Sequence, residues 1–107
     1  MRESQQTMQT FDVRVTPAAS AEHLVDVIEA AVLRFGLNVC LRGTLQRYPG
    51  SQHWHPQKPG ERGTLEVTLW PAEHRLWLSV QAGRRADWIT DLLPHVKAWV
   101  EEQLREA

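Results

Sequence analysis

Residues 63–80, GTLEVTLWPAEHRLWLSV, read as two strands and a turn. Leu65, Val67 and Leu69 alternate with Glu66, Thr68 and Trp70, and Leu76, Leu78 and Val80 alternate with Arg75, Trp77 and Ser79. A period of two puts each apolar set on one side of a pleated strand. The intervening PAEH, residues 71–74, has the length of a hairpin connection. With that loop Leu69 faces Leu76, Val67 faces Leu78 and Leu65 faces Val80. A slip of one residue would destroy the match, so the pattern specifies the register.

The flanking segments extend this sheet and cover it. LNVCLRGTLQRY, residues 37–48, alternates as well, with Leu37, Val39, Leu41 and Leu45 on the inner side. FDVRV, residues 11–15, reads as a short first strand that Pro17 ends. Ser20 is a helix cap, Glu22 suits the positive first turn, and Leu24, Val27, Ile28, Ala31 and Phe35 follow helical spacing up to Gly36. A second helix closes the chain, with Trp88 or Ile89, Leu92, Val96, Trp99 and Leu104 inward and Pro94 predicting a kink or short break. Three antiparallel strands with one apolar face need a cover, which the helices supply. The expectation is a two-layer α+β sandwich of order β-α-β-β-β-α over residues 10–107, with a largely antiparallel sheet and both helices on one face. The first strand should run parallel to its successor, and residues 1–9 should be frayed.

Composition narrows the function classes. The chain has 107 residues, 42% of them hydrophobic and 23% charged, which is ordinary for a folded domain. No apolar run approaches the roughly 20 residues of a membrane span, and MRESQQTMQT lacks the apolar stretch of a secretory leader. Cys40 is the only cysteine, so no intrachain disulfide forms, and a cytoplasmic setting is expected. The net charge of −1 conceals a basic middle: residues 42–85 hold seven basic and three acidic side chains, while residues 86–107 hold two and five. A dedicated nucleic-acid binder is usually basic over a whole face, so the pattern favours a local anion site.

YPGSQHWHPQKPGERG, residues 48–63, reads as a long loop between the second and third strands. Strand directions then place residues 49–63 at the same end as Gly83, Arg84 and Arg85, with His74 at the other. His53 and His55 form a metal site only if a further ligand arrives from elsewhere. His74 is too far, and no carboxylate pair is seen to complete the set. The expectation is therefore no resident metal or cofactor, and an anion-binding end formed by His53, His55, Lys58, Arg62, Arg84 and Arg85.

The sheet face away from the helices is expected to carry Arg42, Tyr48, Trp70 and Trp77. Such an aromatic patch suits a protein contact, a homodimer for instance, or base stacking. No nucleophile motif, phosphate loop or dinucleotide fingerprint occurs, and Glu66 and Glu73 make no evident acid–base pair, so no catalytic residue is assigned.

From Ala21 onward the order helix, three strands, helix resembles the double-stranded-RNA-binding domain. The resemblance implies that SQHWHPQK and GRR would contact RNA together. It is one of element order, with only Arg84 and Arg85 opening the last helix, which is acidic thereafter. Three functions therefore stand, in order: a small cytoplasmic binding module with an anion site, an RNA or single-strand binder, and a metal-dependent enzyme using His53 and His55.

Overall fold

The computed structural model describes residues 8–105, so most of the expected frayed segment 1–9 lies outside the described residues. Five strands and two helices follow in the order β1 (Gln9–Val13), α1 (Ala21–Arg34), β2 (Asn38–Gly43), β3 (Gln52–Gln57), β4 (Glu66–Trp70), β5 (Arg75–Val80) and α2 (Asp87–Arg105). Short 3-10 turns occupy Pro71–Glu73 and Ala82–Arg84. The strands form one sheet in the order β1-β5-β4-β3-β2, antiparallel at every junction. This is the α+β class expected, with one strand more.

The β4–β5 hairpin has the register its sequence demands, Val67 opposite Leu78 and Leu69 opposite Leu76. Ser20 Oγ accepts the His23 N–H at 3.1 Å to start α1. The chain leaves α1 through Gly36 at φ 68°, a left-handed conformation that favours glycine. Leu24, Val27, Ile28 and Ala31 of α1 and Ile89, Leu93, Val96, Val100 and Leu104 of α2 bury against the inner sheet residues Val13, Leu65, Val67, Leu69, Leu76 and Leu78. α2 continues through Pro94 without the short break that the sequence allowed. Pro94 is on the exposed side of α2, so the carbonyl it leaves unbonded can be hydrated.

The main correction concerns residues 52–57, which form a strand in the interior of the sheet and not part of a loop. QHWHPQ alternates like its neighbours: Trp54 is 2% exposed in the core, whereas His53 and His55 project to the other side. Proline is tolerated because Pro56 lies just past the last β3–β4 ladder pair, Trp54–Val67, where its carbonyl accepts the Leu65 N–H at 3.1 Å. Four strands, not three, therefore separate the helices, and the element order departs from that of the double-stranded-RNA-binding domain.

A second correction lies in β2. Its pairing with β3 passes from Val39–Pro56 to Arg42–Trp54, so β2 holds one residue too many, a bulge at Cys40 and Leu41. The bulge turns the expected faces over. Leu41 is 52% exposed, and Arg42 reaches the helix side, where its Nη1 lies 2.8 Å from Glu29 Oε2 of α1. β1 and β2 do run in the same direction, but as the two opposite edges of the sheet. No helix among the described residues is long and apolar enough to cross a membrane.

Candidate metal centre

Because β3 and β4 are neighbours, the outward residues of one meet those of the other. His53 pairs with Thr68, and the next outward position on each strand holds His55 and Glu66. His53 Nε2 lies 3.0 Å from His55 Nε2 and 3.6 Å from Glu66 Oε1, and His55 Nε2 lies 3.8 Å from Glu66 Oε2. One ligand atom from each of the three residues lies within 4.8 Å of the others. Ligands held about 2.0–2.1 Å from a tetrahedral zinc ion are about 3.3–3.4 Å from one another, so small side-chain rotations suffice to seat an ion.

The burial of Glu66 is the unusual feature. The residue is 5% exposed, and a buried carboxylate is costly unless it is paired and hydrogen-bonded. Its oxygens approach His53, His55 and Arg84 Nη1 at 3.6, 3.8 and 3.9 Å, each too long for a hydrogen bond. A cation among the three would pair with the carboxylate and take the place of the 3.0 Å hydrogen bond between the two Nε2 atoms.

The residue behind His53 suits the same purpose. Thr68 Oγ1 lies 2.7 Å from His53 Nδ1, and Thr68 is 1% exposed. With Nδ1–H donating to that hydroxyl, Nε2 carries the lone pair and faces the cluster. Burial depresses the His53 pKa; the Glu66 carboxylate opposes that shift and His55 adds to it. Burial thus favours the neutral ring, which is the form that binds metal.

The cluster opens on a groove along the outer face. Leu41 and Leu45 line one side of it, and Gln81, Gly83 and Arg84 the other. The β2 bulge is what brings Leu41 here. Beyond His55 the groove continues past Cys40 and Gln57 to Arg62, Thr64, Arg84 and Arg85. The Cys40 thiol donates to the His55 carbonyl at 3.3 Å, which ties the edge strand to the site.

The structure thus brings His53, His55, Arg62, Arg84 and Arg85 to one groove, but Lys58 lies in a different depression with Trp88, Asp91 and His95. Arg84 is near the histidines, as expected, because β3 carries them along the sheet. His74 is elsewhere, its Nε2 2.9 Å from the Thr16 carbonyl. On the outer face Tyr48 folds back from the 44–51 connection, its ring 4.9 Å from that of Trp70 and 5.0 Å from that of Trp77. Trp70 Nε1 donates to the Pro49 carbonyl at 3.1 Å, and the Arg75 guanidinium stands 4.5 Å over Trp77. The aromatics therefore pack on one another within the chain, and Trp77 is buried.

The expectation that no carboxylate pair completes the set passed over Glu66, whose single carboxylate lies beside both rings. Its signal was the alternation of QHWHPQ: read as a strand next to TLEVTL, it places His-x-His against Glu-x-Thr on the polar face. Compared with protein-family models, curated proteins and solved structures, the chain has no match, so the functional reading stands on this geometry.

Proposed function

We propose that the protein binds one divalent transition-metal ion of the zinc type through His53 Nε2, His55 Nε2 and Glu66, as an open centre for a metal-dependent reaction in the groove. The observation that carries this reading is the convergence of the three donor atoms within 4.8 Å on two adjacent strands. Imidazole and carboxylate together suit zinc and its first-row neighbours. Three protein donors with one side free match the pattern of catalytic centres, whereas structural zinc sites are closed by four. Thr68 supports the reading as a hydrogen-bond partner of His53 Nδ1 that leaves Nε2 facing the cluster. An ion held here supplies a Lewis acid to a group entering between Leu41 and Arg84.

The test is metal analysis of protein carrying no histidine tag, loaded with zinc and desalted. One ion per chain is expected in the wild type and background metal in a His53→Ala/His55→Ala double variant. A wild type without metal, or a double variant that retains it, contradicts the proposal.

A further inference from the structure

We propose that the group taken up beside the metal is a phosphoryl dianion, bound jointly by the ion and by Arg84, with Arg62 and Arg85 behind it. This rests on the metal reading above and adds the chemical class of the ligand.

The first observation is charge. Among the described residues, the far part of the groove is lined by three arginines and by no aspartate or glutamate. A divalent ion on two neutral imidazoles and one carboxylate leaves one further positive charge. A dianion with several acceptor oxygens answers this field better than a monocarboxylate, and guanidinium matches phosphate with two parallel N–H donors.

The second is the position of Arg84. It borders both the histidine end and the arginine end of the groove. Its Nη1 stands 3.9 Å from Glu66 Oε2, with the side chain half exposed. Once Glu66 spends its charge on an ion, Arg84 faces a like charge and is freed to pair with an anion on that ion. Arg84 thus stands beside the cluster without a close hydrogen bond to Glu66.

The third is that the backbones of Arg62 and Arg84 are tied to each other's segments. Gly63 has φ 95°, and a Cβ there would come within 2.7 Å of Ala86 Cβ and 3.0 Å of the Arg84 carbonyl. Only glycine lets the 58–65 connection lie this close to the segment before α2. Thr64 N–H donates to the Arg84 carbonyl at 3.1 Å, and Trp88 Nε1 donates to the Arg62 carbonyl at 2.6 Å. Two separate stretches of chain are thus clamped together with their guanidinium-bearing residues on one groove.

The experiment uses cobalt(II)-loaded full-length protein, with the visible cobalt spectrum as the reading, methylphosphonate as the probe and acetate as the comparison anion. Methylphosphonate is expected to perturb the spectrum and to bind more tightly than acetate. Arg84→Gln and Arg62→Gln should each weaken it about tenfold or more while cobalt affinity holds. Protein that loads cobalt but binds methylphosphonate no better than acetate overturns this inference alone, as do arginine variants that bind it like the wild type. Protein that takes up no cobalt overturns the metal reading and this one with it.

Discussion

Thr68 Oγ1 and His53 Nδ1 lie 2.7 Å apart on neighbouring strands, and that contact leaves the His53 Nε2 facing the groove. Thr68→Val keeps the shape and removes the hydroxyl. Zinc affinity, measured by competition with a chelator, should fall about tenfold to a hundredfold, the usual cost of losing an outer hydrogen bond to a ligating histidine. An unchanged affinity would mean that the hydroxyl has no part in presenting Nε2.

The placement of β3 makes opposite demands on two apolar residues. Trp54 is 2% exposed and Leu41 is 52% exposed. Trp54→Ala should cost about 3–5 kcal/mol in urea unfolding, as large-to-small changes in a core do. Leu41→Ala should stay within about 0.5 kcal/mol, as for a surface change. Equal costs would refute either the interior strand or the bulge.

These two residues also mark what was legible beforehand. The β4–β5 hairpin and both helices were readable because alternation, helical spacing, Ser20 and Gly36 all agree. β3 was obscured by its surroundings: Pro49–Gly50 before it and Pro59–Gly60 after it are turn signals, and Pro56 interrupts the strand itself. The site depends on which strands are neighbours, so losing β3 also lost Glu66 as the partner of the histidines. Arg42 and Leu41 were misplaced for a different reason. A bulge has no alternation of its own, and one extra residue inverts every face assignment beyond it.

Acidification should act on the metal-free fold through His53. Burial holds its folded pKa below the unfolded value, with Glu66 opposing and His55 assisting. Below about 6.5, the ordinary histidine value, the unfolded chain therefore binds more protons than the folded one. Stability is complete above that pH and is lost as pH falls through the folded pKa. Melting temperatures taken in chelator should drop between about pH 7 and pH 5, and His53→Asn should flatten the drop. Glu101 adds a separate loss at lower pH. Burial raises its pKa, but the hydrogen bonds from Lys97 Nζ and the Arg14 N–H outweigh that and hold the carboxyl below its ordinary range. A wild type whose melting is flat down to pH 5, or a His53→Asn profile with the same slope, would exclude His53 as the source.

Calorimetric titration of zinc into wild-type protein and Glu66→Gln tests the centre most directly. Glutamine preserves the shape of the side chain and removes a buried charge, so the metal-free fold should be no less stable than the wild type. The expected result is a single zinc site in the wild type and an affinity lower by more than about a hundredfold in Glu66→Gln, beyond the cost of an outer hydrogen bond. Equal zinc affinity in the two proteins would contradict the assignment of Glu66 as a ligand and, with it, the metal centre.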